Sequence, residues 1–377
     1  MSFGNRIYAE LRGDRAIWMI VAILALFSIL AVYSSTGTIA YRDRGGNTEF
    51  YLLKQVIMIG AGLGLTYFCY MLHYAKYKVL APYLILLTVP LLFYTIAFGA
   101  EYNDARRWIE LPVLPFTIQT SELAKLALII YVAREISKRK DYIKDFNTAF
   151  LPIIVPILLI CGLIAPADLS TAILLFTTTV LMMFMGRVAV QYILLLLFLG
   201  IVLFAFLIII GNFFPEIVRV ETWISRMQEF INGTGDTYQI DHAKIAIANG
   251  SIIGVGPGNS VLRNYLPAPY SDFIYATICE EYGLIGGFLI LLLYVFLFFR
   301  TVSLVTRSPK TFGAMLALGV SLILVLQALA NIAVSVNLVP VTGLTLPLVS
   351  MGGTSLIFSS ICFGILLSVS RYIEKVS

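Results

Sequence analysis

Residues 254–283, GVGPGNSVLRNYLPAPYSDFIYATICEEYG, lead without a break into LIGGFLILLLYVFLFF at 284–299. A polar, glycine-punctuated and charged segment thus runs straight into a stretch of the length a bilayer-crossing helix needs, roughly 20 apolar residues. Gly254, Gly256 and Gly258 would let backbone N–H groups converge on one concavity, Arg263 adds a fixed positive charge, and Pro267 and Pro269 stiffen the approach to Asp272. Asp272 then stands at the mouth of a helix. On these residues alone it is either the capping aspartate of a membrane-surface loop or a reactive carboxylate.

Outward from this junction the chain stays apolar. Of its 377 residues 59% are hydrophobic and 12% charged, and the mean hydropathy is +0.91, whereas soluble domains carry about 25% charged residues. Stretches long enough to span recur at 16–34, 51–72, 78–98, 116–133, 150–165, 169–185, 188–211, 273–299, 312–336 and 350–370. The expected fold is an all-α polytopic membrane protein, residues 1–377 forming one integral domain of about ten transmembrane helices, with a large outer loop at 212–272 before the eighth. Short helices are expected inside that loop at Glu221–Ile231 and Ile240–Asn249, the second stopped by Asn249-Gly250.

Arg6, Arg12 and Arg15 before the first span resemble the basic region of a signal peptide, but the apolar run is too long and lacks a small-residue cleavage site. With that end inside, alternate loops hold Lys76, Lys78, Arg134, Lys138, Arg139, Lys140, Lys144, Arg187, Arg300, Arg307, Lys310, Arg371 and Lys375. Arg42, Arg44, Arg106, Arg107, Arg219, Arg226, Lys244 and Arg263 lie on the other side, spread over longer loops. Both termini are therefore expected in the cytoplasm, and the net charge of +5 reflects topology and not nucleic-acid binding.

Cys69, Cys161, Cys279 and Cys362 fall in or at the ends of spans with no CxxC spacing, so neither a disulfide framework nor a zinc site is indicated. His73 and His242 are the only histidines, and no HExxH or GxxxxGK[ST] pattern occurs. Metalloprotease and nucleotide-driven readings lose their footing. Ionisable residues within spans cost about 2.5 to 3.5 kcal/mol at a helix centre, so they tend to line cavities. Lys54, Glu122, Lys125 and Asp168 qualify, with Glu280 and Glu281 one turn or more into the helix after Asp272. Glu122 and Lys125 are three apart, near enough to compensate each other, and Asp168 also suits a helix cap. Arg107 beside Trp108 is a candidate phosphate fork or a headgroup anchor. The charge-free segments Val339–Leu348 and Ser350–Ser355, which includes Thr354, are rich in Pro and Gly. Backbone that irregular at membrane depth must be buried in protein or line water.

Taken in order, Arg107-Trp108, Gln119-Thr120-Ser121-Glu122 with Lys125, the Asp168 turn, Gly254 to Asn259, Leu266-Pro267 with Ser271-Asp272-Phe273, Glu280-Glu281-Tyr282-Gly283 and Gly343 to Ser355 resemble the SEDS family (shape, elongation, division and sporulation) of FtsW, RodA and SpoVE. The resemblance covers nearly everything from the first span to Arg371 and implies a peptidoglycan glycosyltransferase. Such an enzyme polymerises lipid II, the undecaprenyl-pyrophosphate-linked disaccharide-peptide, on the outer face of the bacterial plasma membrane. It implies a class B penicillin-binding transpeptidase and other divisome proteins as partners. By the same resemblance Asp272 matches an essential outer-loop aspartate, and Glu122 with Lys125 an intramembrane pair. The chain resembles the FtsW division type most, with departures: Thr342 stands where FtsW proteins often have lysine, as in RodA elongation proteins, Met351 replaces a usual tyrosine, and Ser170 a usual glycine.

The chemistry can be laid out from the residues as well. Extending a glycan from a lipid-linked donor requires deprotonating an acceptor hydroxyl, stabilising a leaving pyrophosphate and holding long lipids. Asp272 suits the first task. Arg263, Arg107 or Lys54, with Gly256, Gly258 and Asn259 of the turn, suit the second, as would a divalent cation (Mg2+ or Mn2+) held by Asp272. Ser350 and Thr354 are candidate supporting groups. Two other classes stay open: a lipid II flippase using Glu122, Lys125 and Lys54, and a non-enzymatic scaffold.

Overall fold

The computed structural model describes residues 13–37, 48–102, 105–110, 117–214, 218–233, 238–266 and 269–374. Arg6, Arg12, Arg42, Arg44, Asp104, Pro267 and Lys375 lie outside the described residues. Among the described residues twelve α-helices follow in chain order: α1 Arg15–Ser35, α2 Thr48–Met71, α3 Ala75–Phe98, α4 Thr120–Lys138, α5 Leu151–Ile164, α6 Leu169–Met185, α7 Val190–Phe213, α8 Val220–Asn232, α9 Tyr238–Gly250, α10 Ile274–Arg307, α11 Thr311–Ser335 and α12 Gly353–Glu374. Among the described residues, eight helical stretches are long and apolar enough to cross a membrane. The two further spans expected from sequence are α6, apolar but 17 residues long, and α4, which carries Glu122, Lys125, Arg134, Glu135 and Lys138.

The most charged of these helices is also one of the most enclosed. Fourteen of the 19 residues of α4 are buried, as is 89% of the most apolar stretch of α11, and the two pack together at the centre with α3, α6 and α12 around them. Charge survives there because its buried members are paired, Lys125 with Glu122 and Glu135 with Arg134 and Arg139. The faces of α2, α3 and α7 that look outward carry exposed apolar side chains such as Leu86, Phe98, Phe198 and Ile201, the surface expected against lipid. At the start of α1, Asp14 accepts from the Ala16 backbone N–H at 2.9 Å and from Arg300 Nε at 2.6 Å. The cap that begins the first helix therefore also ties it to α10.

One element was not expected. Between α3 and α4 the chain forms a small antiparallel sheet, β1 Ala100–Tyr102, β2 Ala105–Glu110 and β3 Thr117–Gln119, in the order β1-β2-β3. Trp108 pairs with Gln119 and Ile109 with Ile118. The helix read from 116 consequently starts at Thr120, because Thr117–Gln119 close the sheet instead. The sheet matters because it presents Arg107.

Candidate active site

The opening stretch does something other than cradle a phosphate. Gly283, at φ 68° and ψ −171°, interrupts α10, and the turn after α9 docks into the interruption. The Glu280 and Glu281 carbonyls, which the break frees from the helix, accept from Val255 and Gly256 N–H at 3.0 Å each. On the far side of the break Leu284 and Ile285 N–H donate to the Ser251 and Ile252 carbonyls. The Gly256 N–H is thereby used, Asn259 donates through Nδ2 to the Val255 carbonyl at 3.0 Å, and the Gly258 and Ser260 N–H groups turn toward the Glu281 carboxylate. Of the expected trio only Gly258 turns its N–H to a carboxyl, the chain's own Glu281, while Gly256 and Asn259 bond backbone carbonyls. Ser34 Oγ also donates to Glu281, while Glu280 accepts from Ser260 Oγ at 2.5 Å and from Val261 N–H at 3.2 Å. Both glutamates are 1% exposed; they hold the turn and do not face a substrate cavity.

That docking sets where the chain re-emerges at Asp272. Three successive carbonyls ahead of α10 are pinned from outside: Tyr270 by the Met351 N–H at 2.9 Å, Ser271 by Ser350 Oγ at 2.7 Å, and Asp272 by Asn331 Nδ2 at 2.8 Å. Asn331 Nδ2 bonds the Leu344 carbonyl as well, at 2.7 Å. One turn earlier on α11, Gln327 Nε2 donates to the Thr345 carbonyl at 2.9 Å, and its Oε1 accepts from Lys125 Nζ at 2.9 Å. Lys125 in turn pairs with Glu122 at 2.8 Å. The expected Glu122–Lys125 pair is thus buried and ties α4 through α11 to the 344–345 segment beside Asp272.

The capping role for Asp272 does not hold. α10 starts at Ile274 with Phe273 as N-cap and no side-chain cap bond, leaving the Asp272 carboxyl to accept from Ser271 Oγ at 2.9 Å. Burial pushes its pKa above the ordinary carboxylate value. The Ser271 hydroxyl and the Arg226 and Arg107 charges work in the opposite direction, and Asp168 adds a further push upward. Arg226 is the complement: burial and the neighbouring Arg107 and Arg219 lower its pKa, while Asp168 and Asp272 raise it. Three guanidiniums and two carboxylates therefore act on one another at this end of the bundle.

Arg107, Arg219, Arg226 and Asp168 line the mouth of a cavity of about 580 Å3, walled by apolar side chains including Ile173, Phe204, Trp223 and Leu326. β2 supplies Arg107, whose Nε donates to the Ala167 carbonyl at 2.7 Å and whose Nη1 lies 3.6 Å from Asp168 Oδ2. Asp168 also caps α6 by accepting from the Thr171 N–H at 3.1 Å, so it meets both readings made from sequence. The amphipathic α8 covers the cavity, with Trp223 stacked on Phe204 of α7 at 5.8 Å and Arg226 donating to the Val341 carbonyl at 3.1 Å.

Several expected site residues lie elsewhere. Lys54 is exposed on α2, within two turns of its start at Thr48, where a long side chain can reach water. Arg263 donates to the Ser34 carbonyl at 3.3 Å, at the end of α1. Ser350 supports the backbone, since its hydroxyl also accepts from the Leu346 N–H at 2.8 Å, and Thr354 is buried. Arg219, Arg226, Gln327 and Asn331 were not singled out from sequence. Gln327 and Asn331 carried a signal, as two amides four apart inside an apolar span, whereas the two arginines were indistinguishable from interfacial cations.

A sequence profile of the family described as cell cycle protein, grouping FtsW, RodA and SpoVE, matches residues 14–375. "Probable peptidoglycan glycosyltransferase FtsW" of Haemophilus influenzae is 32% identical over 364 residues, covering 95% of this chain and 90% of that protein. "Stage V sporulation protein E" of Bacillus subtilis is 30% identical over 366 residues, covering 95% and 97%. In fold, the chain is similar to a component of a peptidoglycan synthase complex that coordinates polymerization and crosslinking, with TM-score 0.73, 24% identity and coverage of 96% and 98%. It is also similar to the rod shape determining protein RodA of Thermus thermophilus, with TM-score 0.67, 23% identity and coverage of 95% and 97%.

Proposed function

The chain belongs to the FtsW, RodA and SpoVE family of cell cycle proteins, and on that premise we propose that it is a peptidoglycan glycosyltransferase that polymerises lipid II on the outer face of the bacterial plasma membrane. The observation that carries the reading is that Arg107, Arg226 and Asp168, the charges that act on the buried Asp272 carboxyl, all line one apolar-walled cavity. The apolar wall suits a polyprenyl chain. The guanidiniums suit the diphosphate, binding its oxygens as planar forks and opposing the charge that grows as it leaves. Asp272, its pKa raised by burial, is a better base toward neutral pH than an ordinary aspartate. It takes the proton of the acceptor hydroxyl while that oxygen bonds to the donor's anomeric carbon and the bond from that carbon to the diphosphate breaks. A single displacement on an α-linked donor gives a β linkage.

Among the described residues no cluster of three or more His, Cys, Asp or Glu side chains is placed to hold a metal. Asp272 and Asp168 lie among three arginines, a donor set that does not coordinate a dication by itself. Mg2+ or Mn2+ enters this proposal only as a counter-ion carried by the substrate's diphosphate. The lipid-carriage alternative needs an open path past Glu122 and Lys125, but the cavity beside that pair is only about 20 Å3, which favours polymerisation. The proposal extends to septal wall synthesis with a class B penicillin-binding transpeptidase and other divisome proteins; the FtsW relatives, named as probable peptidoglycan glycosyltransferases, support its enzymatic part.

The test is glycan synthesis by purified protein, with and without such a transpeptidase, from lipid II. Asp272→Asn keeps the shape and loses the base, so polymer formation should fall about 10² to 10⁴-fold with folding and lipid II retention intact. Near-normal synthesis by a well-folded Asp272→Asn protein removes this residue from the mechanism.

A further inference from the structure

At the end of the bundle opposite Asp272, where α4 and α6 finish and α11 begins, lies a second cavity of about 720 Å3. Lys140, Lys144 and Arg187 line it beside Asp141 and Asp145, over an apolar wall of Ile136, Ile143, Met185 and Met315. No ion pair or hydrogen bond among the described residues engages the side chains of Lys140, Lys144 or Arg187. Asp145 is occupied, its carboxylate accepting from the Asn147 and Thr148 N–H groups, which leaves Asp141 as the one other carboxylate facing three cations. Thr311 at the rim opens α11, whose N-cap Lys310 makes no side-chain cap bond, so the positive end of a 25-residue helix meets the same space.

Arg187 adds a second kind of observation. Its φ is 61°, a left-handed conformation that glycine or asparagine adopts at less cost. A long cationic side chain is held there despite the strain. Beside it Phe184 and Met185 are 60% and 49% exposed at the foot of α6. The cavity therefore joins a cationic rim to an apolar flank.

We propose that this cavity binds an anionic glycerophospholipid, its phosphodiester against Lys140, Lys144, Arg187 and the start of α11, and its acyl chains along Met185 and Phe184. A neutral zwitterionic lipid fills the same shape but brings its own cation to a site already rich in them. The site is separate from the cavity lined by Arg107, Arg226 and Asp168 and does not depend on the polymerase reading.

The full chain is purified in detergent, stripped of lipid and offered phosphatidylglycerol, phosphatidylcholine of identical chains, or inorganic phosphate. Retention is read by native mass spectrometry. Phosphatidylglycerol should be retained at least about tenfold better than phosphatidylcholine, with the preference weakening as salt rises. Lys140→Gln with Lys144→Gln and Arg187→Asn should erase the preference, the last change easing the backbone so that folding is protected. Lys76→Gln with Lys244→Gln, exposed cations elsewhere, should leave it intact. A preference that survives the triple change in a monodisperse protein overturns the proposal. Retention of inorganic phosphate as strong as that of the lipid overturns it too, because the acyl flank would then contribute nothing.

Discussion

Replacing Gly283 with alanine tests whether the glycine-rich stretch is a helix dock. The residue sits at φ 68° and ψ −171°, a region open essentially to glycine, which costs an alanine about 1 to 3 kcal/mol. Its new Cβ would lie 2.2 Å from the Ile252 carbonyl oxygen and 2.6 Å from the Gly254 nitrogen, both backbone atoms, so the turn must withdraw. Withdrawal breaks bonds from Val255 to Glu280, Gly256 to Glu281, Leu284 to Ser251 and Ile285 to Ile252, each contributing about 0.5 to 1.5 kcal/mol net. With only half of them lost, the total is about 2 to 6 kcal/mol, a large share of the roughly 5 to 15 kcal/mol that holds a typical domain. Gly254→Ala should behave alike, its Cβ falling 2.1 Å from the Glu281 carbonyl oxygen. Gly258→Ala should not. Its φ of +81° is strained for alanine, but no atom lies within 4 Å, and the expected cost is about 1 to 2 kcal/mol. Thermal and denaturant unfolding of the three variants in one detergent gives the ranking. A Gly283→Ala protein no less stable than Gly258→Ala would refute the docking argument; a Gly258→Ala protein that folds normally but loses polymerisation would restore the phosphate-cradle reading.

Glu122→Ala strands Lys125 with only Gln327 as partner and should destabilise by about 3 to 5 kcal/mol, against about 0.5 kcal/mol or less for the exposed Glu49→Ala; equal unfolding midpoints would remove the pair from the core's support. Asp272 has a pKa raised in the folded state, so the stability tied to it is full below the unfolded carboxyl value and falls as pH rises through the folded one, while base activity rises over that same window. Arg226 lowers the Asp272 pKa, so Arg226→Gln should shift the acidic limb of the kcat/KM profile to higher pH; a limb that stays put or moves down contradicts the shared electrostatics. For orientation, single cysteines replacing Lys140 and Lys244, in a background without the four buried native cysteines, should react oppositely with an impermeant thiol reagent on intact cells. Labelling at Lys140 alone would invert the topology.

Apolar length was enough to place eight spans among the described residues, as with α11 at Thr311–Ser335 against the run read at 312–336, because a bilayer admits few alternatives to a helix of about that length; α6, apolar but 17 residues long, and the charged α4 fall short of it. The Glu122–Lys125 pair was legible for the same reason, since unpaired charge at that depth is costly and the two lie three residues apart. Asp272 stood out as an acid where polar sequence meets a span, but its neighbours did not. Arg107 comes from a six-residue strand of a small three-stranded sheet, too short to show a period, and Arg226 from an amphipathic surface helix; both act on Asp272 only because β2 is folded against Ala167 and Asp168 and α8 against Val341. The glycines were misread from local pattern, which reports that N–H groups can converge but not what they converge on. That answer lies in Glu281 and in the break at Gly283, more than 20 residues along the chain from Gly258 and Gly256. Sequence fixes what each residue can donate, accept or bury; which acceptor comes within 3 Å of which donor depends on contacts between distant segments, and those exist only once the helices have packed.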